Sequence, residues 1–356
     1  MEKSEVVPRF SIATSISNSQ DHVQMKKSEV TPQETMLNLV SGFWVVRSIY
    51  LAAELGIADW FDDQPKTIAQ LAAATNTDPR SLYRLLRALA SVGIFTEVSD
   101  QCFALTPLAA TLQSNSPSSM RSVAMAQMGY VSSLGWSHGV HSLKTGEKTF
   151  DAVTGMAVWD YLAQHPEEAQ TFSQSRNSIG AESALAVAAS YDFSGMNTIV
   201  DVGGGHGSLL STIVRSHPHL NGILFDLPDI IAIVDVDETI QPVAGNFFES
   251  VPTGGDAYLM RWILHDWDDE KSSLILKNCH QAMPDRAKLL LVESIIPPGN
   301  EPSPAKFADV IMLLLTGGRE RSEQEYRSLL RSNDFELTRL IPTSSMLSII
   351  IEAVKL

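Results

Sequence analysis

The stretch Asp201-Val202-Gly203-Gly204-Gly205-His206-Gly207 has the residue types and spacing of a ligand-binding turn. Glycines after an apolar run let the backbone approach a ligand closely and leave the N–H groups of a following helix free to bind it. About twenty residues later Phe225-Asp226 ends a second apolar run, where a carboxylate can accept from both hydroxyls of a ribose. Two ligand classes fit this pair: a dinucleotide and S-adenosylmethionine. The glycines at 203, 205 and 207 are spaced more tightly than the Gly-x-Gly-x-x-Gly of dinucleotide sites. Asp201 would repel a pyrophosphate and suits the amino group or sulfonium of S-adenosylmethionine, so the residues favour the methyl donor.

The second chemical group is His265, in Leu264-His265-Asp266-Trp267. It follows a predicted strand, Ala257-Tyr258-Leu259-Met260, at the carboxyl edge where open α/β sheets bind ligands. Methyl transfer from a sulfonium needs a nucleophilic oxygen, and a phenol with a pKa of about 10 is mostly protonated at neutral pH. An imidazole with a pKa near about 6.5 can remove that proton, and a carboxylate on its far nitrogen would fix its tautomer and raise its basicity. Asp266, Glu293 and Glu320 are the candidates for that carboxylate. The acidic run Asp266-Trp267-Asp268-Asp269-Glu270 reads as a helix start rather than a metal site, and no metal is expected.

These groups need elements to hold them. Thr198-Ile199-Val200-Asp201-Val202, Gly222-Ile223-Leu224-Phe225, Ala257 to Met260 and Lys288-Leu289-Leu290-Leu291-Val292 read as buried parallel strands, with helices such as 271–283 between them. Residues 335–340 and 347–353 follow one another without a helix and predict a final hairpin. Upstream, Thr31-Pro32-Gln33-Glu34 resembles a helix start, with Met36, Leu37, Val40, Phe43, Trp44 and Ile49 at helical spacing after it. That face is too apolar for one subunit to bury, which predicts a homodimer. Residues 67–72, the capped segment from Asp78-Pro79 to Leu89, and strands ending near Phe103 make a winged helix-turn-helix pattern. Between 107 and 195 the chain reads as mostly helical. Aromatic and methionine residues are spread through it, among them Met128, Trp159 and Phe172, and a few of these would line a pocket for a flat apolar ligand.

The chain has 356 residues, 44% hydrophobic and 19% charged, enough for two domains with a large core. A formal net charge of −15 disfavours nucleic acid and anionic membranes as partners, even though Arg80, Arg84 and Arg87 lie near one face of the winged-helix segment. Cys102 and Cys279 have no second ligand at metal spacing, which points to a reducing, cytoplasmic setting. The first thirty residues match neither a signal peptide nor a membrane anchor and read as a disordered tail.

From about Thr35 onward the chain resembles the small-molecule O-methyltransferases of the caffeic-acid and acetylserotonin type, especially bacterial members. The resemblance rests on the glycine-rich motif at 201–207, Phe225-Asp226-Leu227-Pro228, Gly245-Asn246-Phe247-Phe248, Leu264-His265-Asp266-Trp267 and Gly317-Gly318-Arg319-Glu320-Arg321, in the family's order and spacing. It implies an α/β fold: a Rossmann-like class I methyltransferase domain with an N-terminal, helix-rich winged-helix dimerisation domain. The corresponding boundaries are 31–110 for the dimerisation domain and 111–356 for a helical linker region and the catalytic domain. S-adenosyl-L-methionine is the implied cofactor and a hydroxylated secondary metabolite the implied acceptor.

Carried over residue by residue, the resemblance makes His265 the general base, with Glu293 and Glu320 flanking it. Asp226 would hold the ribose, with Leu227 beside it. Gly203, Gly205 and Asp201 would serve the amino-acid end of the cofactor, Asn246 and Phe247 the adenine, and Arg261 stands for a basic residue near the cofactor. Asn246 replaces the usual Asp, whose role an amide oxygen can take over. The acceptor pocket would be bordered by Phe172, Arg176, Asp266, Asp309, Met312, Met128 and Trp159. Arg176 stands where relatives carry Met; facing the pocket it would favour an anionic acceptor, and otherwise it would turn outward or pair with Glu182 or Asp192. Relatives that use the same cofactor site for a non-methylating reaction supply the alternative, opposed by the intact His265, Glu293 and Glu320.

Overall fold

A computed structural model describes residues 31–116 and 119–356; the tail expected over residues 1–30 lies outside the described residues. The chain forms two compact units that divide between Tyr130 and Val131.

In the first unit, helix α1 (Pro32–Glu54) starts in a capping box: the Glu34 N–H donates to Thr31 Oγ1 at 3.2 Å and the Thr31 N–H donates to the Glu34 carboxylate at 2.8 Å. Strand β1 (Lys66–Thr67), helices α2 (Ile68–Thr75) and α3 (Pro79–Ala90), and strands β2 (Thr96–Ser99) and β3 (Cys102–Ala104) follow. The three strands form an antiparallel sheet in the order β1-β3-β2. Asp78 caps α3, and Leu82, Leu86 and Leu89 on its inner face pack with Leu71, Phe95 and Phe103. Helices α4 (Pro107–Ala110) and α5 (Arg121–Met128) complete the unit. It runs past residue 110, where the sequence pattern ends it, because α5 packs on α1 and Arg121 donates to the Ala53 carbonyl (2.8 Å) and Asp59 (3.0 Å).

The second unit opens with helices α6 (Tyr130–His138), α7 (Val140–Thr145), α8 (Thr149–Thr154), α9 (Val158–Gln164) and the long α10 (Pro166–Ser190). Then come β4 (Thr198–Val202), α11 (Ser208–Ser216), β5 (Asn221–Asp226), α12 (Pro228–Ile231), β6 (Ile240–Ala244), β7 (Ala257–Arg261), α13 (Asp269–Ala282), β8 (Lys288–Glu293), α14 (Pro304–Leu315), α15 (Glu323–Arg331), β9 (Phe335–Pro342) and β10 (Ile349–Lys355). The strands make one sheet ordered β6-β5-β4-β7-β8-β10-β9, parallel from β6 to β8 and closed by the antiparallel hairpin β9–β10. Side chains alternate between two cores. Val200, Tyr258 and Leu291 face Ile275 and Leu330, whereas Ile199, Leu259 and Val292 face Val187 and Ile213. Strand β6 escapes sequence reading because it is an edge strand that buries only Ile240 and contains Pro242, tolerated only on an edge. The carboxyl ends of β4, β5, β7 and β8 bring Gly203, Asp226, Arg261 and Glu293 to one edge of the sheet, as in other open α/β folds.

Candidate active site

Where β4 ends, Gly203, Gly205 and Gly207 adopt φ of 71°, 59° and 74°, the left-handed region that an L side chain rarely occupies. A Cβ on Gly203 would lie 2.6 Å from Ile263 Cδ1 and one on Gly204 2.4 Å from Leu224 Cδ1, so the loop is folded tightly onto its neighbours. Around Gly205 there is open space within 4 Å of where a Cβ would stand, room for a ligand to meet the backbone. The Gly205 N–H donates to Asp226 Oδ2 at 2.7 Å and the Leu227 N–H to Asp226 Oδ1 at 2.7 Å. A carboxylate has about four acceptor positions, so Asp226 ties the loop to the end of β5 and keeps capacity for two ribose hydroxyls.

Beneath the loop Asp201 is buried, and its Oδ2 has no hydrogen-bond partner. Burial pushes its carboxyl up to about 7, against the opposing pull of Arg261. Burial likewise lowers the Arg261 guanidinium to about 10, with Asp201 holding it up. Arg261 donates to the Gly180 carbonyl (2.8 Å) and to Ser208 Oγ (2.9 Å), which links β7 to α10 and to the start of α11. Asn246 Oδ1 accepts from the Phe248 N–H at 3.0 Å, and the Phe247 carbonyl accepts from Asn278 Nδ2 at 2.8 Å. That fixes the Phe247 ring against the loop, 3.4 Å from the position of a Cβ on Gly203.

His265 sits on a tightly held turn. After β7 the chain reverses at Trp262, a non-glycine residue at φ 53°, and enters a short 3₁₀ turn over Leu264–Asp266. Glu293, fully buried at the end of β8, uses one oxygen to accept from the N–H groups of Ile263 (3.2 Å) and Leu264 (3.0 Å). His265 Nδ1 is 2.8 Å from Glu320 Oε1 and 4.0 Å from Glu293 Oε2, while Nε2 lies 3.6 Å from Asp266 Oδ1 and has no hydrogen-bond partner. Burial alone would lower the imidazole pKa; Asp266, Glu293 and Glu320 together outweigh it and push it up to about 9. Burial raises Glu293 to about 7 against the attraction of His265. The ligand atoms of His265, Glu293 and Glu320 lie within 4.8 Å of one another, close enough to gather a cation. Of these groups, Nδ1 is committed to Glu320 and one oxygen of Glu293 to the turn.

Of the residues expected to border an acceptor, all but one lie in the same unit. Asp309 on α14 accepts from the Glu320 N–H at 3.0 Å and so positions the residue that positions His265. Met312 lies one turn further along α14. Phe172 on α10 meets Trp159 edge-on at 5.7 Å. Arg176, one turn along from Phe172, pairs with neither Glu182 nor Asp192; its Nη2 donates to the Trp262 carbonyl at 3.0 Å. Met128 belongs to the first unit, where its carbonyl accepts from Arg47 Nη1 at 2.7 Å.

Residues 136–336 match the family model described as O-methyltransferase domain, and residues 37–115 match the O-methyltransferase dimerisation domain. The chain belongs to the O-methyltransferase family. Across 322 residues it is 42% identical to the phenazine O-methyltransferase PhzM of Lysobacter antibioticus, a match covering 88% of this chain and 94% of that protein. A solved structure titled LaPhzM superimposes with a TM-score of 0.87 at 42% identity, over 92% of this chain and all of the other. CalO1, a methyltransferase of calicheamicin biosynthesis solved with S-adenosylhomocysteine bound, gives 0.80 at 32% identity, again over 92% of this chain and all of the other.

In this methyltransferase the motif around Glu320 does more than sequence reading assigned to it. A Cβ on Gly318 would fall 1.9 Å from the His265 carbonyl oxygen, and the Arg319 N–H donates to that carbonyl at 2.8 Å. Arg321 is almost completely buried and donates to the carbonyls of Leu264 (2.9 Å) and Trp267 (3.1 Å) and to Asp269 (2.7 Å). Gly318 and Arg321 therefore clamp the backbone on both sides of His265. The adjacent glycines at 317 and 318 were the available signal, since such pairs mark close backbone approach. Ser208 and Asn278, which steady Arg261 and Phe247, carry no comparable signal.

Proposed function

We propose that this O-methyltransferase transfers the methyl group of S-adenosyl-L-methionine to a phenolic hydroxyl of a small secondary metabolite, with His265 as the general base. The observation that carries the reading is the pair of ring nitrogens. Nδ1 is hydrogen-bonded to Glu320, while Nε2 is buried, lies 3.6 Å from Asp266 Oδ1 and has no hydrogen-bond partner among the described residues. Neutral His265 therefore carries its proton on Nδ1 and its lone pair on Nε2, where an acceptor hydroxyl would deliver its proton.

The residues at the glycine loop fit the methyl donor. Asp226 retains acceptor capacity for a ribose, Gly205 leaves its backbone approachable, Phe247 offers a ring face for an adenine, and Asp201 keeps one oxygen without a partner under the loop. Bound there, S-adenosylmethionine supplies a methyl group on a sulfonium that departs as a neutral thioether. The chain's own part is to orient the acceptor oxygen and remove its proton. A relative named as a phenazine O-methyltransferase supports a polycyclic aromatic acceptor. Phe172, Trp159 and Met312 supply apolar surface for such a ring, and Asp266 and Asp309 flank it with polar groups. Nucleic acid and membrane have no place in this reading, and a cytoplasmic homodimer is its natural form.

The test is transfer of label from methyl-labelled S-adenosylmethionine across a panel of hydroxylated aromatics. His265→Gln should lower turnover by about 100-fold or more, the range of a general base, while S-adenosylhomocysteine still binds. Near wild-type turnover in that variant would remove His265 from the mechanism.

A further inference from the structure

We propose that Arg176 is a carboxylate-binding residue of the active site; the inference rests on the methyl-transfer reading and names the kind of ligand the site accepts. A guanidinium has five N–H donors, and the hydrogen bond from Arg176 goes to the Trp262 carbonyl, three residues before the base. Among the described residues no carboxylate lies within 4.0 Å of it. Its carbon is 5.8 Å from the Phe172 ring centroid and 5.7 Å from that of Trp262, so it lies between two aromatic rings. It acts on another cation, Arg261, whose proton affinity it lowers.

A half-buried guanidinium set beside a second one is left uncompensated, in a chain whose net charge is −15. Arg261 has Asp201 as its counter-charge; among the described residues Arg176 has no carboxylate within ion-pair distance. Burying a charge without a partner is costly, and the fork of an arginine matches a carboxylate with two parallel bonds. Its place narrows the choice of ligand. On the same helix Ser173 bonds His206 of the glycine loop at 3.0 Å, and Phe172 meets Trp159 among the pocket aromatics. Arg176 thus stands at the seam between donor and acceptor, within reach of a carboxylate on either: an acidic group beside the acceptor hydroxyl, or the amino-acid end of the methyl donor.

The experiment compares wild type, Arg176→Met and Arg176→Lys by titration calorimetry, with methyl transfer measured in parallel. Salicylate and 4-hydroxybenzoate are titrated against their methyl esters on enzyme loaded with S-adenosylhomocysteine. S-adenosylhomocysteine is titrated against 5′-methylthioadenosine, which lacks the carboxylate, on free enzyme. The wild type should prefer one carboxylate-bearing probe over its neutral counterpart by about tenfold or more, the size of a hydrogen bond to a charged group. Arg176→Met should abolish that preference and Arg176→Lys restore part of it. Loss in the acid–ester pairs assigns the carboxylate to the acceptor, and loss in the adenosyl pair assigns it to the donor. Equal discrimination by wild type and Arg176→Met in both pairs overturns the proposal. Should no hydroxylated acceptor be methylated by the wild type, the methyl-transfer reading fails, and the titrations still decide the role of Arg176.

Discussion

His265 has three carboxylates within 4.0 Å of its ring nitrogens, and their charge outweighs the burial that would otherwise favour a neutral imidazole. With a pKa of about 9 the resting ring is protonated at neutral pH, so as the proposed base it would be strong but present only in the fraction that has released its proton. The sign follows: kcat/KM rises with pH as the imidazolium deprotonates toward about 9. Glu320→Gln removes one of the charges that stabilise the imidazolium, so the rising limb should move to lower pH. The maximal rate should fall as well, because a neutral amide orients the ring without strengthening it as a base. A pH–rate profile unchanged in this variant would mean that Glu320 does not tune His265. This coupling was only half legible in the sequence. A histidine after a predicted strand end, with acidic residues in recognisable motifs, makes His265 a candidate; which carboxylate touches which nitrogen depends on the turn between β7 and α13 and on a loop more than fifty residues away.

That turn is an element-scale construction, and its supports explain what sequence reading could and could not recover. Strands β4, β5, β7 and β8 were legible because each is a short, almost continuously apolar run buried on both faces, and the glycine loop because three alternate glycines follow one of them. The capping residues Thr31, Asp78 and Asp268 announced their helices. The end of the first unit was not legible, because what carries it to α5 is the tertiary contact of Arg121 with Ala53 and Asp59, which leaves no local pattern. Nor was the clamp at His265: nothing local to Arg321 signals burial, yet it is one of the most buried side chains among the described residues. Gly318→Ala tests the clamp. Its Cβ would need the space of the His265 carbonyl, 1.9 Å away, so the turn must shift, at an overpacking cost of about 1–3 kcal/mol. Turnover should fall along with the melting temperature. Gly195→Ala, where a Cβ meets nothing within 4 Å, should stay within about 0.5 kcal/mol of wild type. Equal melting temperatures and turnover for the two variants would show that the close approach at Gly318 is not needed.

At the scale of the whole molecule the unresolved demand is the surface of α1. Met36, Leu37, Leu39, Val40, Phe43 and Trp44 are each between 58% and 69% exposed, and Ala52 and Ala53 are the buried residues of a 23-residue helix. The helix is long and apolar enough to cross a membrane by length and composition, with a mean hydropathy of 1.4 in its most apolar window. Residues 37–115, however, match a dimerisation domain, which makes a second copy of the chain the natural cover for this face. Each large apolar side chain taken out of water contributes about 1.5–3 kcal/mol, and a two-fold interface uses every such residue twice, so the association outweighs the entropy lost on pairing. The protein should therefore scatter light as a dimer at micromolar concentration, and its melting temperature should rise with protein concentration, because unfolding would be linked to dissociation. Trp44→Glu places a charge in the middle of that face on both subunits. Its burial is expensive enough to weaken the dimer by about 100-fold or more, so dissociation should become visible in the same concentration range. A wild type that is monomeric by scattering, or a Trp44→Glu variant that dimerises as well as wild type, would show that α1 is covered by something other than a second copy.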